Sequence, residues 1–322
     1  MQRLQHVLEG LAPTKASHAL SVQASHQRPV ELVWGTQAEL QTPLHGAAFG
    51  ARLHGVDLAQ ELSPAQAEWL TSALWEHGVL HIPGQRLPSG RLERLANFFG
   101  APAPPPTFAL EGGGQPLPQV LRSVDSSSNS AAGWHTDLNF EPVPCSVTML
   151  HCQVAPEEGG RTSFASTAIA FLDLPPEQQA SLAELEVAHL PRPFFSEKLK
   201  ADPGMTNVHP LVLKQPQTDR PALYLPAEDL YPDMPDHAQG LAGGGGLVGE
   251  VAGMEQQQSH ELLRELMLHC TQPQYMAKHD WVEDDLVIWD NASILRENLN
   301  VHQSIRMLQL KQFAFRRDGF SS

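Results

Sequence analysis

Apolar and polar positions along this chain follow two different periods, and the switches between them mark its elements. Trp69, Leu70, Ala73 and Leu74 fall on one face at helical spacing, after Ser63-Pro64-Ala65-Gln66, a capping box with proline at the first helical position. The pattern predicts a helix of about four turns that closes at Gly78. Val79-Leu80-His81-Ile82 then reads as a short buried strand, and Ser89 to Phe99, closed by Gly100, as a second amphipathic helix. Proline and glycine from Ala101 to Pro118 predict a loop, of the kind that lines sites. Strands over Cys145 to Val154 and from Thr162 to Ser166 flank a turn at Pro156 to Gly160. Val208 to Gln215 and Pro221 to Leu225 read as a hairpin around QPQTDR. Further on, Ser259 to Cys270 is helical, Leu286 to Asp290 (LVIWD) a buried strand, and Ile305 to Phe315 a long C-terminal strand. Many short strands with a few early helices predict a mainly β fold with flanking helices, a double-sheet jelly roll.

With 41% hydrophobic and 18% charged residues, the 322-residue chain reads as soluble and globular, with one elaborated domain over residues 41–322. Residues 1–40 are rich in Gln, Ala, Ser and His with weak periodicity, and are expected to form a loosely ordered extension; scarce arginine gives a transit peptide little support. Gly240 to Gly253, which contains AGGGG, reads as a flexible surface insertion. A formal charge of -15 with no Lys/Arg-rich run argues against nucleic-acid and anionic-membrane partners and leaves a small molecule as the expected one. Cys145, Cys152 and Cys270 are odd in number and lack C-x-x-C spacing, which predicts unpaired thiols in a reducing compartment. With no membrane-length apolar run and no secretory pattern, the expected location is intracellular and cytoplasmic; a homo-oligomer is left open.

The stretch GWHTDLNFEP, Gly133 to Pro142, carries the candidate chemistry. In an extended strand the side chains at i and i+2 leave the same face, so His135 and Asp137 can converge on one point. With a second histidine they would make the 2-His-1-carboxylate set of non-haem Fe(II) oxygenases. An isolated H-x-D is weak evidence in a chain with 16 histidines, and a His-Asp hydrogen bond at a polar strand end is the commoner meaning of such a pair. A hydrolase is disfavoured: there is no G-x-S-x-G, and no cysteine stands beside a base.

The order FFG, WHTD with Phe140 and Pro142 after it, PEEGGRTSFAS, HPLV, ALYL, CTQPQYMAKHDW, DDLVIWDN and a late Arg306 resembles the taurine/2-oxoglutarate dioxygenase family, TauD/TfdA-like, from about Pro43 to Phe315. The resemblance implies a double-stranded β-helix that binds Fe(II) and 2-oxoglutarate and oxidises an unactivated C–H bond of a small molecule. It places His135 and Asp137 as iron ligands, Thr162 as the hydroxyl that meets the 2-oxoglutarate carboxylate, and Arg306 as the guanidinium that clamps its far end.

The third ligand departs from the pattern, because the sixth residue after Asp290 of the Asp-Asn pair is Arg296 where the family carries histidine. A guanidinium stays protonated and is no Fe(II) ligand. Three readings stay open: His302 swings in as third ligand; His135 and Asp137 hold the metal with water or cosubstrate; or Arg296 sits where iron would, paired with Asp137, in a catalytically silent ligand-binding protein. A halogenase is disfavoured because Asp137 is kept. By the same resemblance Phe108, Asn129, Leu138 and Phe140 would line the substrate pocket, with Phe194 and Phe195 nearby, while Pro105 and Leu310 replace sulfonate-gripping polar residues, so taurine is not the expected substrate.

Overall fold

The computed structural model describes residues 28–44, 47–100, 119–121, 133–155, 161–190, 206–229, 246–299 and 307–314. A seven-stranded sheet runs edge to edge as β1 (Glu39–Gln41), β2 (Ala51–His54), β3 (Val79–Ile82), β15 (Leu286–Asp290), β5 (Cys145–Val154), β17 (Met307–Ala314) and β4 (Gln119–Leu121). A second, three-stranded sheet is β14 (Met276–Asp280), β6 (Arg161–Ser166) and β16 (Ile294–Leu299). A third joins β13 (Gly249–Val251), β7 (Glu186–His189) and β8 (Asn207–Pro210). Two ribbons complete the β structure: β9 (Val212–Lys214) with β10 (Pro221–Leu223), and β11 (Glu228–Asp229) with β12 (Gly246–Leu247). All pairings are antiparallel except β2 with β3. The helices are α1 (Val30–Trp34), α2 (Pro64–His77), α3 (Arg91–Ala96), α4 (Thr167–Leu172), α5 (Pro176–Leu182) and α6 (Gln256–Cys270). This is the mainly β fold with flanking helices that the pattern predicts.

β15 shows why an unbroken apolar run was needed at the centre. Leu286 and Ile288 face a core formed with α2 and α3, among Leu70, Leu74 and Leu92, whereas Val287 and Trp289 face a second core with Phe164, Leu150 and Ile294 between the sheets. A strand buried on both faces has no polar side to show. The inter-sheet core is where the candidate chemistry lies.

α2 begins as expected: the Gln66 N–H donates to Ser63 Oγ at 3.3 Å, the Ser63 N–H to Gln66 Oε1 at 2.9 Å, and Gly78 closes it at φ 75°. Four other segments differ from expectation. The second amphipathic segment is helical only over Arg91–Ala96, because Gly90 is left-handed at φ 75° and Arg91 turns inward to Leu58 O and Gln60 O. Within the segment expected to be loose, residues 28–40 carry α1 and most of β1, anchored where Trp69 Nε1 donates to Arg28 O at 2.7 Å and Trp34 meets Trp69 edge-on; residues 1–27 lie outside the described residues. Residues 246–253 of the glycine-rich stretch form β12 and β13, and a Cβ at Gly249 would lie 2.6 Å from both Ala188 O and Pro226 Cβ. That glycine serves close packing. The hairpin is present as β9–β10, but its expected first strand is split, with β8 pairing β7 instead.

Cys145, Cys152 and Cys270 are buried and unbridged, and among the described residues no helix is long and apolar enough to cross a membrane. Replacing Ser63 with Ala should cost about 1 kcal/mol through loss of the α2 cap. Urea denaturation checks this; an unchanged midpoint would show that tertiary packing alone fixes the helix start.

Candidate functional site

The stretch 133–141 is not the continuous strand the spacing suggested. His135 makes a single antiparallel bridge with Arg296 of β16, donating its N–H to Arg296 O at 3.0 Å and accepting from Arg296 N at 2.9 Å. A turn follows, with Leu138 left-handed at φ 51°. That conformation is costly for a leucine. The turn is pinned by the backbone pair of Trp134 and Glu228, by Asn139 Nδ2 donating to Leu225 O at 3.3 Å, and by Asn207 Nδ2 donating to Phe140 O at 2.8 Å.

His135 and Asp137 do converge, as expected. His135 Nδ1 lies 2.8 Å from Gly133 O, which assigns the proton to Nδ1, and Nε2 faces Asp137 Oδ1 at 3.6 Å. Directly opposed bridge residues project on one face, so the Arg296 side chain is delivered to the same point. Its Nε and Nη2 both donate to Asp137 Oδ1, at 3.1 and 2.7 Å, while Thr148 Oγ1 donates to Oδ2 at 2.7 Å. Behind them, Asn291 Nδ2 donates to Thr148 Oγ1 at 2.8 Å, Trp289 Nε1 donates to Asn291 Oδ1 at 3.0 Å, and the Arg296 guanidinium carbon lies 5.3 Å from the centre of the Trp289 ring. His135, Asp137, Thr148, Asn291 and Arg296 are all buried. The guanidinium therefore combines a buried ion pair with a cation–π contact.

Thr162 is buried on β6, opposite Asn298 of β16 and His279 of β14. Arg296 opposes Phe164, one side-chain repeat further on, about 7 Å along the strand. Trp281 Nε1 donates to Thr162 Oγ1 at 2.9 Å. Of the expected pocket residues, Leu138 is half-buried and Phe140 buried. Phe108, Asn129, His302 and Arg306, with Pro105, Phe194 and Phe195, lie outside the described residues. Sequence reasoning missed Thr148, Asn291 and Trp281. The alternation in CSVTMLHCQV placed Thr148 on one strand face, but nothing local told which face meets Asp137.

Residues 40–295 match the family model described as Taurine catabolism dioxygenase TauD, TfdA family. The chain belongs to this family, the one its ordered motifs resemble, and so to a class of 2-oxoglutarate-dependent dioxygenases that act with a metal on small molecules. An alpha-ketoglutarate-dependent sulfate ester dioxygenase of Pseudomonas putida is 29% identical over 260 residues, covering 79% of this chain and 83% of that protein. A taurine dioxygenase from Burkholderia xenovorans superposes with a TM-score of 0.68 at 22% identity, over 87% of this chain and 92% of that one. AAD-2 in complex with Mn(II) and N-oxalylglycine superposes with a TM-score of 0.65 at 22% identity, over 87% and 98%.

Against that family background, the residues at this pole only half fit Fe(II). His135 and Asp137 offer one imidazole nitrogen and one carboxylate, but the side chain brought beside them is a guanidinium already bonded to the carboxylate oxygen. As they stand, these three do not make a 2-His-1-carboxylate set.

Asp290, the last residue of β15, adjoins Asn291 of the site. It accepts from Ala292 N at 3.0 Å and from Ser293 Oγ at 2.6 Å, and burial raises its pKa to about 6 against those bonds and the pull of Arg220. An unfolded aspartate titrates near 3.9, so the folded chain holds the extra proton between roughly pH 4 and 6. The stability from this group is complete below about pH 4 and is lost as pH rises through about 6. Asp290→Asn should remove that loss. Urea unfolding at a series of pH values should show the variant gaining on the wild type as pH rises; a constant difference would contradict the assignment.

Proposed function

We propose that this chain is a 2-oxoglutarate-dependent oxygenase of a small, largely apolar molecule, with a metal pole held shut by Arg296. The observation that carries the reading is the shared oxygen: Asp137 Oδ1 lies 2.7 Å from Arg296 Nη2 and 3.6 Å from His135 Nε2. A cation already occupies the point where imidazole and carboxylate converge. A metal ion held by His135 and Asp137 must first displace it, with His302, water or the cosubstrate supplying the remaining positions.

The two facing sheets are read as the walls of a double-stranded β-helix, with the cosubstrate between them. Thr162, beside Trp281, and Arg306 are assigned to the two carboxylates of 2-oxoglutarate, Arg306 to the far one. Leu138 and Phe140, joined by Phe108 and Asn129, would line the substrate pocket and keep water out. A mainly apolar lining argues against taurine as the substrate.

The double hydrogen bond and the Trp289 contact also favour a second reading, in which Arg296 never leaves and the chain binds its ligands without oxidising them. Anaerobic Fe(II) titration in the presence of 2-oxoglutarate, followed by a succinate assay in air, separates the two. Breaking a buried ion pair costs about 3 kcal/mol, so wild type should bind Fe(II) on the order of 100-fold more weakly than Arg296→His and still form succinate. Equal affinities would show that Arg296 does not guard the pole. A wild type that takes up no iron and forms no succinate, beside an Arg296→His variant that does both, would establish the second reading.

A further inference from the structure

Among the described residues, one group of three metal-ligating side chains comes within coordination reach, and it is not the pole: His81, His279 and Asp285. We propose that these three form a closed binding site for a divalent transition-metal ion, Zn(II) in the first instance. The proposal stands apart from the chemistry assigned to the pole.

The two imidazoles come from opposite walls. His81 of β3 opposes Val287 of β15, which belongs to the inter-sheet core, so His81 points between the sheets. His279 of β14 lies two residues from Ala277, which belongs to the same core, and so projects on the same strand face. The rings meet with centres 4.4 Å apart. Asp285, immediately before β15, lies between them: Oδ1 is 2.9 Å from His81 Nε2 and Oδ2 is 3.2 Å from His279 Nε2. One ligand atom from each residue can be chosen so that all lie within 4.8 Å of one another. Ligands at zinc bond lengths and a tetrahedral angle sit about 3.3 Å apart; the two Asp285–imidazole distances already lie near that spacing, and the imidazoles must swing toward a common point to admit the ion.

The chemistry of the donors selects the class of metal. Two imidazole nitrogens and a carboxylate suit zinc and its first-row neighbours, whereas Mg(II) and Ca(II) take oxygen. Exposures of 3%, 1% and 2% for His81, His279 and Asp285 leave little room for water, and the second Asp285 oxygen can fill a fourth position. Burial, helped by His279 and Arg52, lowers the His81 pKa against the pull of Asp285, which favours the neutral, ligating imidazole. Burial opposes ionisation of Asp285, but hydrogen bonds from His279, His81 and the Val282 N–H outweigh it and hold the carboxyl well below its usual range. On binding, each imidazole gives its Nε2 lone pair, and a proton there moves to Nδ1 or leaves to solvent.

The surroundings hold the ligands in place, as outer partners do in metal sites. The Val282 N–H donates to Asp285 Oδ2 at 2.9 Å, and the Trp281 ring stands edge-on to His279 at 4.7 Å. The site is well separated from the pole. Thr148, bonded to Asp137, and Cys152, whose N–H donates to Asp285 O at 2.8 Å, are four residues apart on β5, about 13 Å. An ion here would staple β3 and β15 to β14 beside Thr162.

Chelator-treated full-length protein should take up one tight Zn(II) or Co(II) per chain, with a rise in melting temperature and, for cobalt, the visible absorption of a four-coordinate ion. His135→Ala should keep that ion, whereas His81→Gln and His279→Gln, shown folded by circular dichroism, should lose it. If the glutamine variants do not fold, zinc-edge X-ray absorption of the loaded wild type decides, with two imidazoles per zinc expected. No uptake by the wild type overturns the proposal and leaves a hydrogen-bonded His-Asp-His cluster. Uptake lost in His135→Ala but kept in His81→Gln, or a single imidazole in the absorption spectrum, overturns it as well.

Discussion

The ion pair between Arg296 and Asp137 is the constraint around which the rest of the inter-sheet space is arranged. A carboxylate as buried as Asp137 cannot stand without compensation, and removing one partner of such a pair typically costs 3–5 kcal/mol. Compensation comes from the guanidinium on one oxygen and Thr148 on the other, and the guanidinium is delivered by the backbone bridge to His135. Trp289 serves both sides, with its ring beneath Arg296 and its N–H on Asn291, which in turn holds Thr148. One strand, β15, therefore supplies the cation's platform from the same run whose other face builds the helical core. The pole is tied to the second sheet through the His135–Arg296 bridge.

Family membership and this ion pair pull in different directions. The fold, the ordered motifs and the relatives define a class that uses a metal and 2-oxoglutarate, while Arg296 brings positive charge to the point where His135 and Asp137 converge. The Arg296 cation neutralises Asp137 as a metal would, without offering a lone pair. The His81, His279 and Asp285 group shows the complementary case, with ligand chemistry intact away from the motif that announces it.

Elements whose pattern is local were legible in the sequence. The Ser63 capping box, the two-faced burial of LVIWD and the alternation of CSVTMLHCQV all reach into the structure because period and capping act within a few residues. The family was legible from motif order, and Arg296 was visible as a departure. The turn after His135 was not, because left-handed Leu138 is held by Glu228, Leu225 and Asn207 contacts that no local pattern encodes. The same holds for Gly249, which looked like part of a flexible run but fits where Ala188 and Pro226 leave no space for a side chain. His81 and His279 meet only because two sheets face each other, so neither histidine was distinguishable from the others in the chain.

In solution Arg296 should be held at the pole. Nitrogen-15 NMR of arginine Nε–H groups, with the Arg296 signal assigned by its loss in Arg296→His, reads this directly. A slowly exchanging Arg296 Nε–H that shifts on Asp137→Asn is the predicted result, because a buried, bonded guanidinium is shielded from water. An Arg296 Nε–H that exchanges as fast as that of exposed Arg86, with no response to Asp137→Asn, would contradict it.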